Sequence, residues 1–274
     1  MAVAAAAGPN VPSVAVMVHG GSMDITPIIS TCQSVLTAFY PGVYGAQAIA
    51  DVVFGDHNPG GKTPYTWYKS SYVNKVSMDD FRMANPPGRS YRYLDPANPD
   101  ILIQFGHGLS YTTFDLAWSG NQGSASASIV PSEPTSLLVA APSPAVLSNS
   151  NASAYVTFVV SVTNTGSVAG AETVFGYWTP PAAHSKNPVN ASFMPLQRQL
   201  FDFGKVLLAP GETGKVTLKL SVDTLVMIDQ SGSRVSTPGS YAVRIDRGAA
   251  TAAVFSSVKL QGSMQVLERL PAGL

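Results

Sequence analysis

The sequence predicts an α/β unit followed by an all-β sandwich. Three observations carry this: short continuous apolar runs near the start, a turn-rich aromatic middle, and alternating β-branched runs from Ser153 onward. Val14-Ala15-Val16-Met17-Val18 is the first apolar run, and Gly20-Gly21 ends it. A run of this kind suits a parallel strand covered on both faces. Val35 to Tyr40 reads as a second such strand. After Pro41-Gly42, apolar residues recur at Ala46, Ile49, Ala50, Val53 and Phe54. That spacing marks one face of a helix, and Gly55 stands where a C-terminal glycine cap belongs. Strand, crossover, strand, helix is the rhythm of a doubly wound layer.

Residues 55–113 are rich in turns and aromatics and show little periodicity, as expected of an ordered irregular tail. From 120 to 150, Ser, Ala, Pro and Gly dominate, which predicts a flexible insertion or linker. Ala154 to Thr163 then alternates. Further strand-like runs are Thr173–Trp178, Leu200–Val206, Gly214–Leu220 and Ser240–Ile245, separated by turn signals such as Pro210-Gly211 and Pro238-Gly239. Short strands at this spacing indicate a sandwich. Two units are expected, residues 1–115 and 116–274.

Composition narrows the function. Sixteen basic and sixteen acidic residues leave no formal net charge, so no basic patch points to nucleic acid. No apolar run approaches the ~20 residues of a membrane span, and residues 1–7 read as the end of a helix rather than a signal peptide. The single Cys32 cannot form an internal disulfide and reads as a buried thiol. No metal or other cofactor is implied: His57, His107 and His184 are scattered. No Gly-x-Ser-x-Gly elbow accompanies Ser22, Ser30 or Ser110.

The most informative stretch is Phe105-Gly106-His107-Gly108-Leu109-Ser110-Tyr111-Thr112-Thr113-Phe114. Its alternate glycines let the backbone turn and approach a neighbour closely. Upstream stand Asn58 to Pro64 and Gly88-Arg89-Ser90-Tyr91-Arg92-Tyr93, and downstream Asn164 to Gly170. In this order the set closely resembles the C-terminal part of family 3 glycoside hydrolases, especially their plant and algal β-xylosidase branch. The resemblance implies the C-terminal remnant of an α/β sandwich domain followed by a fibronectin III-like β-sandwich. It also implies a retaining exo-β-glycosidase with two carboxyl groups about 5 Å apart. In the family the nucleophilic aspartate sits in an N-terminal barrel, and the acid/base glutamate usually early in the following domain. Neither position is matched: residues 1–132 contain no glutamate, and the four present are Glu133, Glu172, Glu212 and Glu268. No catalytic residue is therefore assigned, and the chain alone is expected to be inactive. Its expected partners are the missing barrel portion or a complementary subunit, and an oligo- or polysaccharide. The parent protein is expected to be extracellular or in the cell wall.

The remaining polar candidates carry two readings each. Arg89, Tyr91 and Arg92 can line a sugar cleft or fasten the tail to its scaffold. His19 follows the first strand, where α/β domains place ligand loops, or it is structural. Asp79-Asp80 can bind a cation or cap a short helix. Lys62 stands where relatives often have arginine, which would weaken a bidentate pair. Trp67-Tyr68 and Trp178 suit core or interdomain packing. Asn151 and Asn190 fit the N-glycosylation triplet. The alternative to an enzyme part is a non-catalytic carbohydrate-binding or structural protein.

Overall fold

The computed structural model describes residues 10–119, 136–139, 145–148, 155–181, 194–229, 232–248 and 251–268. The helix expected at residues 1–7 and both glycosylation candidates, Asn151 and Asn190, lie outside the described residues.

The chain opens with β1 (Val14–Met17), a single-turn helix α1 (Thr26–Ile29), β2 (Ser34–Thr37) and α2 (Gly45–Phe54). β1 and β2 pair in parallel, Val14 opposite Ser34 through Met17 opposite Thr37. β2 stops short of the expected Tyr40, because Phe39 turns into positive φ (51°). Gly55 ends α2 in the left-handed conformation, φ 89°, as the sequence predicts. Among the described residues this sheet has two strands, and its apolar groups are poorly covered. Val16 is 42% exposed, Tyr44 84% and Phe54 81%. Cys32, expected to be buried, is only half-buried after α1.

The tail is more regular than its sequence suggests. It holds β3 (Trp67–Tyr68), a 3-10 turn (Ser70–Lys75), α3 (Ser90–Tyr93) and β4 (Ile101–Ile103). β3 and β4 form an antiparallel ladder. Trp67 is buried with Met17 and Ile25, so the tail seals the underside of the first layer. Asp79 and Asp80 start no helix. Asp80 folds back to accept the backbone and Nε hydrogens of Arg82, with Asn85 donating to its other oxygen.

β5 (Phe114–Trp118) already belongs to the sandwich, and the 115/116 division falls inside it. β6 (Ser136–Val139) and β7 (Ala145–Ser148) lie in the stretch read as a flexible insertion, so this stretch contributes strands to both sheets. There follow β8 (Tyr155–Asn164), β9 (Gly170–Thr179), β10 (Gln199–Leu208) and β11 (Thr213–Ser221). β12 (Val226–Ile228), β13 (Arg234–Ser236), β14 (Gly239–Asp246), β15 (Ala253–Gln261) and β16 (Gln265–Glu268) complete the described strands. One sheet runs β10-β9-β14-β15-β7; the other runs β11-β8-β5, with β6 also on β8.

Period-two burial builds the core. Val156, Phe158, Val160 and Val162 of β8 all point inward and are fully buried. They meet Trp178, Val243 and Ile245 of the facing sheet. Tyr241 donates its hydroxyl to the Thr237 carbonyl at 2.6 Å, the tyrosine-corner arrangement of such sandwiches. Burial pushes its phenol up to about 12. β9 departs from simple alternation: from Glu172 to Trp178 every residue is buried. Its outer face is covered too, and the covering element is the tail.

Candidate functional site

The motifs that stand far apart in sequence converge where the tail crosses β9. Asn58 sits at the centre of the first junction. Its Oδ1 accepts from Ser110 Oγ at 3.1 Å and Tyr111 N at 2.9 Å, while its Nδ2 donates to the Ala169 carbonyl at 3.3 Å. Thr112 Oγ1 donates to Asn164 Oδ1 at 2.6 Å, and Thr165 N to the Thr113 carbonyl at 2.8 Å. Glycine is required at these contacts. A Cβ on Gly108 would lie 2.2 Å from the Gly61 carbonyl oxygen. Gly106 has φ 80°, and its carbonyl oxygen would stand 2.0 Å from a Cβ on Gly248.

A buried ion triad closes the second junction. Lys62 Nζ lies 2.9 Å from Glu172 Oε1 and donates to the Gly108 carbonyl at 3.1 Å. Arg247 Nη1 lies 3.2 Å from Glu172 Oε2. All three side chains are at most 15% exposed. Burial and the nearby Lys62 charge hold the His107 imidazole below its ordinary value.

Beyond the second junction, toward the Thr179 end of β9, the tail and the sandwich line a cavity of about 220 Å³. Tyr91, Leu94, Gln104 and Phe105 line it from the tail; Tyr177 and Thr179 of β9, Gln197, Arg198 and Arg244 line it from the sandwich. Tyr91 stacks on Phe105 at 4.4 Å and meets Tyr177 edge-on at 5.9 Å. Arg198 lies 4.6 Å from the Tyr177 ring centre and 5.9 Å from that of Tyr91. It makes no hydrogen bond or ion pair to a described residue, whereas Arg244 is held by Asp246 at 2.7 Å. Burial, and then the Asp246 charge, raise the Tyr177 phenol above its ordinary value.

Of the four substrate-binding candidates, Arg89, Tyr91, Arg92 and His19, Tyr91 alone lines this cavity. Arg89 turns away and donates to the Ser77 carbonyl at 2.7 Å. Arg92 lies 5.3 Å from the Tyr93 ring centre, and its carbonyl accepts from Gln197 N at 2.6 Å. His19 is buried in the first layer, between the Gly21 carbonyl at 2.8 Å and Thr37 Oγ1 at 2.5 Å, against Phe39 and Trp67. The three are thus distributed over separate places. Tyr177, Arg198 and Arg244 were missed. The near-continuous apolar run of β9 was the available signal, because a strand buried on both faces needs a second layer on its outer side.

The carboxylates described with partners are engaged one by one. The Thr26 side chain, and then the Ser70 and Thr26 backbone N–H groups that donate to Asp24, hold its carboxyl well below the usual range. Asp100 is lowered by Lys75 and Ser71. Among the described residues no three His, Cys, Asp or Glu side chains cluster as metal ligands.

Residues 1–111 match the glycosyl hydrolase family 3 C-terminal domain, and residues 172–249 a fibronectin type III-like domain. The chain is similar to beta-D-xylosidase 1 of Arabidopsis thaliana, with 34% identity over 249 residues, covering 85% of this chain and 30% of that protein. It is 29% identical to exo-1,4-beta-xylosidase bxlB of Emericella nidulans, covering 95% of this chain and 32% of that protein. Among solved structures, beta-D-glucoside glucohydrolase of Trichoderma reesei superposes with TM-score 0.67 at 27% identity, over 95% of this chain and 35% of that one. A family 3 exo-beta-xylosidase, XlnD, shares the fold with TM-score 0.72 at 22% identity, over 95% of this chain and 32% of that one. The chain therefore spans about a third of the length of the proteins it matches.

Proposed function

We propose that the chain is the C-terminal part of a family 3 glycoside hydrolase and that it completes a retaining exo-β-glycosidase of the β-xylosidase type. The observation that carries this is the similarity to a β-D-xylosidase over 85% of the chain, together with the match of residues 1–111 and 172–249 to two domains in that order. Such an enzyme removes terminal sugars from xylan-type oligo- or polysaccharides with two carboxyl groups about 5 Å apart. This chain supplies neither carboxyl and is inactive alone. The absence of glutamate before Glu133 supports that reading, as does the engagement of Asp24, Asp80 and Asp100 in local bonds.

The partner is the N-terminal barrel portion of a family 3 enzyme, in the same or a complementary polypeptide. It takes the first layer, where Tyr40, Val43, Tyr44 and Phe54 stand exposed. The complete protein works outside the cell or in the cell wall. No described helix is long and apolar enough to cross a membrane. A second reading, a carbohydrate-binding protein without catalysis, is favoured by the aromatic cavity at Tyr91, Phe105 and Tyr177.

The test is hydrolysis of an aryl β-D-xyloside. The purified chain is expected to release no aryl product, and co-production with a family 3 N-terminal portion to give a complex that does. Steady turnover by the chain alone overturns the proposal.

A further inference from the structure

We propose that the cavity between tail and sandwich binds a single sugar ring bearing a carboxylate, a uronic acid. Four features on its walls specify this ligand. First, Arg198 brings a guanidinium that no described acid neutralises, while the neighbouring Arg244 is compensated by Asp246. A guanidinium fork matches a carboxylate in two parallel hydrogen bonds. Second, the stacking of Arg198 on Tyr177 keeps the fork in place without consuming its donors. Third, the half-buried Tyr91 presents aromatic surface on the cavity wall, on which the C–H face of a sugar ring packs, while Tyr177, 2% exposed, serves as the platform under Arg198. Fourth, Gln104 and Gln197 commit their Nε2 groups to the Pro96 and Pro195 carbonyls, which leaves the amide oxygens to accept hydroxyl hydrogens.

The volume sets the size of the ligand. At about 220 Å³ the cavity lies below the range of about 300–1,000 Å³ typical of drug-sized ligands. One ring fits, and a longer oligosaccharide would have to project into solvent. The inference does not rest on the catalytic reading above, because every wall of the cavity is in this chain.

The test titrates the full chain with methyl β-D-glucuronoside, methyl β-D-glucoside and acetate, followed by calorimetry. Saturable binding of the glucuronoside is expected, at least about tenfold tighter than that of the glucoside or of acetate. Arg198→Met should weaken it about tenfold or more, and Arg198→Lys should retain part of it. Gln104→Leu, outside the charge contact, should weaken the glucuronoside and leave acetate unchanged; it also serves if Arg198→Met does not fold. Equal binding of glucoside and glucuronoside overturns the proposal, as does acetate binding as tightly as the glucuronoside. Absence of saturation, or indifference to both Arg198→Lys and Gln104→Leu, overturns it as well.

Discussion

Replacing Glu172 by alanine is expected to lower folding stability by about 3–5 kcal/mol, the cost of leaving buried charges without their partner. Glu172 is 2% exposed, and its two carboxylate oxygens are divided between Lys62 and Arg247. Removing it strands two cations in a site where the tail backbone at Gly108 and the β9 backbone already exclude water. The cation replacements should be milder. Lys62→Met keeps the aliphatic stem, and Arg247 still offsets the carboxylate. Urea unfolding of the single and double variants checks this as a cycle. Lys62→Met and Glu172→Ala should be strongly non-additive, because they share one interaction. A Glu172→Ala loss within about 0.5 kcal/mol, the size of an ordinary surface change, would mean the triad fastens nothing.

Gly248→Ala should be comparably damaging, by more than about 3 kcal/mol, since backbone strain and a backbone clash combine there. Gly248 has φ 110°, and its Cβ would stand 2.0 Å from the Gly106 oxygen. Neither partner is a flexible side chain that can swing away. Gly211 offers the internal control: its φ is 77°, but a Cβ there meets nothing within 4 Å. Gly211→Ala should therefore cost only about 1 kcal/mol, the conformational part alone. Thermal unfolding of both variants compares them directly. Equal losses would show that the close approach of Gly106 and Gly248 carries no stability.

How far the sequence could be read follows from the range over which each signal acts. β8 was legible because its inward positions, from Val156 to Val162, obey strict alternation in a contiguous run. The α2 boundary was legible because one glycine cap marks it. β15 was not, since Ala253–Gln261 mixes half-buried polar and apolar residues and Phe255 faces solvent. β6 and β7 hid in a Ser-, Ala- and Pro-rich stretch whose local composition favours no strand, and pairing with distant strands overrides it.

The candidate site shows the same limit more sharply. Lys62 stood out alone, but its partner Glu172 is supplied by the sandwich. Tyr91 could be picked from an Arg/Tyr cluster, yet the cluster scatters: Arg89 bonds Ser77, and Arg92 packs on Tyr93. The cavity walls come from the tail and from three separate segments of the sandwich, so no local pattern announces them. The glycines of the Phe105–Phe114 stretch did announce close approach, and Gly106 and Gly108 make it.

The functional reading depends on an uneven molecule: a sandwich closed over its own core and strapped by the tail, beside a layer that has two strands among the described residues and leaves apolar groups exposed. Hydrogen exchange of backbone amides in the isolated chain measures that unevenness residue by residue. Amides of Val14–Met17 and Ser34–Thr37 are expected to exchange at least about a hundredfold faster than those of Val156–Val162 and Val174–Trp178. Equal protection of the two groups would show the first layer to be self-sufficient and would contradict the need for a partner to cover it.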